Sequence, residues 1–238
     1  MTEVRVALSE EIDRYLDSLV RTGPFASKAE LVRAALVSFA SEAGPMAHGF
    51  DLETRFAPDG RVYQLEYARE CARRGSPGVG AVYDGGIVLA ADARPGKLVR
   101  SVPKIRTVTD RLAVLSSGFV ADAHVAAARL RHAGPKTTED AVDVLVQLYW
   151  EHATDRTKRP LAASLLIASA LDGEPRLFLL DPSAALVEVD AAAIGEGVDD
   201  RMEVLEKRYR KGTYREAERL VLEVLGKPEK PEVRKIAV

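Results

Sequence analysis

Several residue types are scarce in this chain of 238 residues, and each shortage excludes a class of protein. The single cysteine, Cys71, cannot form an internal disulfide, which excludes a disulfide-stapled secreted scaffold and fits a reducing cytoplasm. No run of about 18 apolar residues occurs, so we expect no membrane-spanning helix. The acidic N-terminal stretch also lacks the pattern of a signal peptide, and we therefore expect a cytoplasmic protein.

Metal and cofactor motifs are also lacking. The four histidines do not have ligand spacing with acids or with Cys71, so we expect no metal site. The GSPGVG stretch at 75–80 does not have the glycine spacing of a dinucleotide or phosphate loop, so we expect no cofactor. Lysine and arginine total 34 against 36 aspartates and glutamates, and this balance predicts no nucleic-acid or membrane surface over the whole chain.

The first 44 residues have the pattern of one strand followed by two helices. Residues 3–8 alternate apolar and polar side chains, which predicts a short strand. Ser9 is a good N-cap for a helix that ends at the glycine-proline pair 23–24. Ser27 and Glu30 have the spacing of a capping box that begins a second helix. Three short elements bury too little apolar area alone, so we expect residues 1–44 to pair with a second copy.

This arrangement resembles the ribbon-helix-helix family over residues 3 to about 42. The features that carry the resemblance are the alternating strand, the Gly-x-x-x-Ser turn and the helix SKAELVRAAL. The resemblance implies that Arg5 would contact base edges in DNA and that the backbone at Ser27 and Lys28 would hold a phosphate. Residues 1–44 contain five basic and seven acidic residues, however, and phosphate contacts depend on positive charge. A dimerisation module is therefore the favoured interpretation, and DNA binding is the alternative.

Residues 45–49 form a turn-rich linker, and residues 50–238 have the element order of an α+β sandwich. A helix is predicted over RVYQLEYARECARRG, followed by a β-hairpin about the loop at 84–86 and a buried strand at 112–118. Two helices, three strands, two more helices and the closing strand PEVRKIAV come next. Two facing sheets with helices on the outside are the expected architecture.

Six blocks in this second segment resemble the α-type subunit of the archaeal and eukaryotic 20S proteasome: FAPDGRVYQLEYAREC, DGGIVLAAD, PKIRTV, SSGFVADAHV, ASLLIASALDGEPRLFLLDPSA and AIGEGVDDRMEVLEKRY. The first block is specific, since it marks the N-terminal helix that separates the α type from the proteolytic β type. The resemblance implies an Ntn-hydrolase-type four-layer αββα sandwich. It also implies a heptameric outer ring that acts in protein degradation with β-type subunits and an ATPase activator.

Ser76 matches in position the threonine that begins the mature chain of the β-type subunits. That threonine is activated by its own free α-amine, whereas Ser76 follows Gly75 and has no free amine. Asp92 and Lys104 match an acid and a lysine of the proteolytic site, but Glu196 stands where the β type has a serine. We therefore expect a non-catalytic subunit, and an autoprocessed serine hydrolase is the weakest alternative.

The resemblance assigns a docking role to some of the same residues. Lys104, Gly75 and Val62 would line a pocket between neighbouring subunits that receives the C-terminal tail of an activating ATPase. Lys104 would pair with the tail carboxylate, and an internal ion pair is the alternative role for this lysine.

A second cluster in the resemblance holds the turn of the axial gate. Its members here are Phe50, Asp51, Pro58 and Tyr67, with Phe50 in place of the family's tyrosine. The stretch RPLAAS at 159–164 also departs from the family's RP-aromatic-G pattern, which puts ring contacts in question.

The N-terminal module stands where α-type subunits have their gating tail. Seven modules on one ring cannot all pair among themselves, because dimers require an even number. We therefore expect pairing between two facing rings, or a cap over the pore. The alternative function is a DNA-binding ribbon-helix-helix regulator that uses the proteasome-like ring as an oligomerisation scaffold.

Overall fold

The computed structural model of the protein describes residues 7–36, 50–93, 98, 103–228 and 230–238. The chain divides into two compact units, Met1–Leu52 and Glu53–Val238. Arg5, most of the strand expected over residues 3–8 and the linker at 45–49 lie outside the described residues. No helix in the described ranges is long and apolar enough to span a membrane.

The described part of the first unit contains two helices, as the sequence predicts. Helix α1 is Glu10–Thr22, and α2 is helical over residues 28–36. The side chain of Ser27 accepts a hydrogen bond from the Glu30 amide at 3.2 Å. Glu30 in turn accepts from the amide of Ala26 at 2.8 Å, so the return bond of the capping box goes to the residue before the cap.

The second unit has nine strands and five helices among its described residues. The strands are β1 Gly78–Tyr83, β2 Gly86–Asp92, β3 Ile105–Thr109, β4 Leu112–Gly118, β5 Ala163–Ser169, β6 Arg176–Leu180, β7 Leu186–Val189, β8 Ala191–Ile194 and β9 Pro231–Ala237. The helices are α3 Tyr63–Arg73, α4 Val120–Ala133, α5 Thr138–Thr154, α6 Val198–Arg208 and α7 Tyr214–Leu225. One antiparallel sheet has the order β8-β1-β2-β9, and the other has the order β3-β4-β5-β6-β7.

Three apolar clusters show how these elements are layered. The cluster between the two sheets includes Leu89 of β2, Leu115 of β4 and Leu166 of β5. Helices α4 and α5 cover the outer face of the five-stranded sheet, and α6 and α7 cover the outer face of the other. The unit is therefore a helix-sheet-sheet-helix sandwich, which agrees with the α+β architecture expected from the sequence.

The central strands are mainly apolar because both of their faces are covered. Every residue of β1 is buried, and β4 and β5 are nearly as well covered. The edge strands β3 and β7 are only partly buried.

The sequence patterns identified the central strands but missed β3 and β8. Ile105 is the one buried residue of β3, and β8 is the short run AAAI, which does not have a strand-like composition.

The last helix begins where the sequence predicts. The hydroxyl of Thr213 accepts from the Glu216 amide, and the Glu216 carboxylate accepts from the Thr213 amide at 2.8 Å. This reciprocal capping box fixes the start of α7. The hydrogen bonds also hold the pKa of the Glu216 carboxyl below its usual value, with the Thr213 side chain as the main cause.

The core assignment can be tested at Leu166, which is 0% exposed. Leu166→Ala leaves a cavity between the sheets, and we expect it to lower the free energy of unfolding by about 2–5 kcal/mol in urea denaturation followed by circular dichroism. Val187→Ala on β7 is the control, since Val187 is 55% exposed, and its expected effect is about 0.5 kcal/mol or less. Equal losses in the two variants would contradict the placement of Leu166 in the core.

Candidate functional site

Ser76 lies in the connection between α3 and β1. Its carbonyl oxygen accepts hydrogen bonds from the Lys104 ammonium at 2.6 Å and from the Ser117 hydroxyl at 3.0 Å. Lys104 also donates to the Ser76 hydroxyl. The preceding Gly75 carbonyl accepts from the Glu196 amide at 2.8 Å. Lys104 thus donates to two oxygens of Ser76, whereas a general base would have to accept the proton of the hydroxyl.

Gly75 and Gly118 bring the end of α3 against the end of β4. A Cβ atom at Gly75 would lie 2.2 Å from the Gly118 nitrogen and 2.3 Å from the Ser117 hydroxyl oxygen. Gly118 has φ +110, and a Cβ atom there would lie 2.3 Å from the Ala162 carbonyl oxygen. Neither position accepts a side chain, so Gly75 is needed for packing whether or not a partner docks there.

A cavity of about 170 Å³ opens beside Ser76. Its lining includes Lys104, Arg106, Ser116 and Val120, and no acidic side chain of the described residues lines it. Arg106 is half-buried and donates to the Ser116 hydroxyl at 2.8 Å. Burial lowers the pKa of the Arg106 guanidinium, although the nearby negative charge of Glu232 acts in the opposite direction. We refer to this space as the cationic cavity.

An open apolar groove of about 930 Å³ adjoins the cationic cavity. Its lining includes Gly75 and the side chains of Phe119, Val120 and Val125, each of which is about half exposed. The groove and the cavity share Gly118 and Val120 in their linings. One end of the sandwich therefore carries an apolar depression next to a positively charged one.

Val62, the third residue predicted for the docking pocket, is not near this end of the fold. It is the N-cap of α3, whereas Gly75 follows the C-terminus of the same helix. A helix of 11 residues rises about 1.5 Å per residue, so its two ends are about 16 Å apart. A single copy of the chain does not bring Val62 together with Gly75 and Lys104.

The turn that contains Pro58 is closed by backbone hydrogen bonds. The Ala57 amide donates to the Arg61 carbonyl and the Gly60 amide donates to the Ala57 carbonyl, both at 2.8 Å. Gly60 has φ +82, which favours glycine. The Tyr63 hydroxyl donates to Asp59 and lowers the pKa of that carboxyl.

The four residues predicted for the gate cluster are divided between the two units. Pro58 and Tyr67 belong to the second unit, and Tyr67 is 44% exposed on α3. Phe50 and Asp51 belong to the first unit, and both are partly buried.

Sequence reasoning did not single out Asp122, which holds the RPLA segment against α4. Its carboxylate is almost fully buried and accepts two hydrogen bonds from Arg159, both at 2.7 Å. It also accepts from the Ala162 amide at 2.7 Å. The Arg159 guanidinium lies 5.0 Å from the ring centre of Phe119. This contact fixes the first turn of α4, which borders both the groove and the cavity.

The DNA-contact residues predicted in the first unit have intramolecular roles where they are described. Ser27 caps α2. The Lys28 ammonium pairs with Asp13 at 2.7 Å and Asp17 at 2.9 Å, and its hydrogen bond to Asp13 is the main cause of its raised pKa.

The Asp122 contact can be tested by removing its cation. Arg159→Ala leaves a buried carboxylate with one fewer partner, and we expect a loss of about 1–3 kcal/mol in unfolding free energy, moderated because Arg159 is half exposed. Arg156→Ala, an exposed arginine three positions earlier, is the matched control and should change stability by about 0.5 kcal/mol or less in the same urea titration. If both variants were equally stable, the contact would not support the segment.

Comparison with known proteins places the chain in a family. A family model described as "Proteasome subunit" matches residues 72–232. The proteasome subunit alpha of Methanocaldococcus jannaschii is 44% identical over 172 residues, which are 66% of this chain and 65% of that protein. The proteasome subunit alpha of Methanococcus maripaludis strain C5 is 40% identical over 198 residues, 76% of this chain and 75% of that protein.

A third relative is also named as a proteasome subunit alpha. Proteasome subunit alpha 2 of Haloarcula marismortui is 39% identical over 171 residues, which are 67% of this chain and 70% of that protein. The chain thus spans about two thirds to three quarters of the length of these relatives. The chain belongs to the proteasome subunit family and to its α type, the type that is non-catalytic.

Proposed function

We propose that the chain forms the outer, non-catalytic ring of a cytoplasmic proteasome, a heptameric ring that pairs with β-type subunits and receives an ATPase activator. The observation that carries this proposal is the apolar groove beside the cationic cavity at the Ser76 end of the fold. A peptide tail that ends in an apolar side chain and a free carboxylate has the chemistry to occupy both spaces at once.

The arrangement of Ser76 supports a docking role over a catalytic one. Both oxygens of Ser76 accept hydrogen bonds from Lys104, and its amide nitrogen is joined to Gly75 within the chain. A nucleophile needs a base that accepts its proton, and Lys104 is a donor here. Lys104 and Gly75 instead contribute to the walls of the two adjoining spaces.

Val62 would enter the pocket from a neighbouring copy. Its position at the opposite end of α3 from Gly75 fits a pocket built between two subunits, each giving a different end of its helix. In the same assembly the turn at Pro58 and the exposed ring of Tyr67 would, with Phe50 and Asp51, hold the axial gate.

We further propose that the N-terminal unit is a ribbon-helix-helix module that pairs with a second copy of itself. Among described residues 7–36 only Leu31 is buried, while Ile12, Tyr15 and Leu36 are 48%, 63% and 62% exposed. An apolar face of this kind needs a partner surface. Pairing is favoured over DNA binding because the Lys28 ammonium is held by two carboxylates, which oppose a phosphate contact.

Ring assembly can be tested by co-expression with a β-type subunit. We expect the two chains to co-purify as one large particle that hydrolyses fluorogenic peptides, because the β type supplies the terminal nucleophile. The chain expressed alone should show no peptidase activity and should form rings by electron microscopy. Activity of the chain alone, or failure to associate with the β-type subunit, would contradict the proposal.

Pairing of the N-terminal unit can be tested by deleting residues 1–44. If facing rings are joined through these units, multi-angle light scattering should give about half the mass for the deletion variant, because dimers form between rings. Tyr15→Glu, which places a charge on the exposed face, should shift the mass in the same direction, whereas Arg14→Gln should not.

Two results would count against pairing. Identical masses for the full chain and the deletion would remove the idea of joined rings. A gel shift of DNA that weakens with salt and is lost in Arg5→Ala would favour the regulator alternative instead.

A further inference from the structure

A polar cavity of about 210 Å³ is lined by the end of α6, the connection at 209–213 and one face of α7. We refer to it as the α6–α7 cavity. Its charged lining side chains are the cations Arg208, Arg210, Lys211 and Arg219 and the carboxylates Glu216 and Glu223. The whole chain has a net charge of −2, whereas residues 207–219 contain six basic residues and two acidic ones. Positive charge is therefore concentrated around this cavity.

Both carboxylates of the α6–α7 cavity already have partners within the fold. Glu223 accepts hydrogen bonds from two nitrogens of Arg208, at 2.6 and 2.8 Å. Glu216 accepts from the amide of Thr213 at 2.8 Å and from its hydroxyl at 2.7 Å. These hydrogen bonds are the main reason why the pKa of each carboxyl is below its usual value. One carboxylate thus joins α6 to α7, and the other caps α7.

The three remaining cations of the cavity have donors to spare. Among the described residues, neither Lys211 nor Arg219 forms a hydrogen bond or an ion pair. Arg210 donates to the carbonyl of the adjacent Tyr209, which uses one of the five N–H donors of its guanidinium. Like charges that line one cavity repel each other, so an anion among them lowers the electrostatic free energy.

The backbone around the cavity is held by hydrogen bonds to the neighbouring sheet. The hydroxyl of Tyr209 donates to the Val82 carbonyl of β1 at 3.0 Å. The carbonyl of Gly212 accepts from the amide of Asp84, in the turn between β1 and β2, at 2.8 Å. The connection at 209–213 is therefore fixed near both of its ends, and the two cations that it carries are attached to an ordered backbone before any ligand binds.

We propose that the α6–α7 cavity binds a small oligophosphate, an anion of two or three linked phosphate groups, through Arg210, Lys211 and Arg219. A guanidinium gives phosphate oxygens two parallel hydrogen bonds, and an ammonium adds a compact positive charge. The cavity is smaller than the about 300–1,000 Å³ of pockets that enclose drug-sized ligands, so it suits a phosphate chain and not a whole nucleotide.

Free inorganic oligophosphate and the phosphate chain of a nucleotide share this chemistry, and the experiment below distinguishes them. The α6–α7 cavity has no lining residue in common with the groove or the cationic cavity. The inference therefore does not depend on the proposed ring or on its docking pocket.

The test is isothermal titration calorimetry of the full-length protein in its assembled form, at about 50 mM sodium chloride, where screening is weak. We expect sodium tripolyphosphate to bind about tenfold or more tightly than sodium phosphate, because several cations contact it at once. Arg219→Gln and the double variant Arg210→Gln/Lys211→Gln should each weaken tripolyphosphate binding by about tenfold or more. The substituted side chains are exposed, so the variants should keep the wild-type circular dichroism spectrum.

Arg215→Gln is the matched control, since Arg215 is an exposed cation of α7 that does not line the cavity. It should leave the dissociation constant within about twofold of the wild type. Equal weakening by Arg215→Gln and Arg219→Gln would indicate diffuse attraction to a basic surface and would overturn the site. Absence of tripolyphosphate binding, or equal affinity for phosphate and tripolyphosphate as for an adventitious ion only, would also overturn it.

ATP without magnesium distinguishes the two sources of the phosphate chain. Affinity equal to that of tripolyphosphate would support a nucleotide whose base and sugar remain in solvent, and weaker binding would support the free inorganic chain. ATP binding that is tighter by more than about tenfold would show recognition of the nucleoside, and this result would contradict the assignment of the cavity to a phosphate chain alone.

Discussion

The contact between Lys104 and Ser76 organises the end of the fold that carries the groove and the cationic cavity. It joins the residue before β3 to the connection between α3 and β1, and Ser117 of β4 adds a second hydrogen bond to the carbonyl oxygen of Ser76. Both oxygens of Ser76 accept hydrogen bonds, and the residue lies in the middle of the chain. The position that matches a nucleophile in the β-type subunits is therefore part of the wall of a cavity. The same hydrogen bonds that oppose a nucleophilic role for Ser76 also shape the wall of this cavity.

Close backbone packing makes that contact geometrically possible. The end of α3 can reach the end of β4 because neither Gly75 nor Gly118 carries a side chain, and Ser117 bonds across the approach to the Ala72 carbonyl at 3.2 Å. Asp122 then fixes the first turn of α4 from the other side through Arg159 and the Ala162 amide. The groove and the cationic cavity lie beside these two contacts, and residues of the connections, among them Ser76 and Pro103, also line the cavity.

The sequence predicted the parts of this arrangement that depend on local patterns. The capping boxes at Ser27 and Thr213 and the apolar central strands follow from residue spacing alone. The edge strand β3 was missed because a strand with one covered face carries a weak apolar signal. Asp122 and Arg106 were missed for a different reason. The partner of Asp122 is Arg159, 37 residues away, and the partner of Arg106 is Ser116, 10 residues away. No local sequence pattern contains that information.

The length of α3 links the proposed docking pocket to the proposed ring. Val62 and Gly75 flank opposite ends of the helix, so a pocket that uses both must take one from each of two neighbouring copies. Such a head-to-tail contact repeats around a ring and closes only at a fixed number of subunits. A pairing contact through the N-terminal unit has twofold symmetry instead. In a ring with an odd number of subunits, at least one N-terminal unit would then have no partner within its own ring. The two kinds of contact are compatible when the ring contact acts within a ring and the pairing contact acts between rings. In the proposed assembly, the exposed apolar side chains of α1 and the separated ends of α3 would therefore give each unit of the chain its own symmetry and its own partner surface.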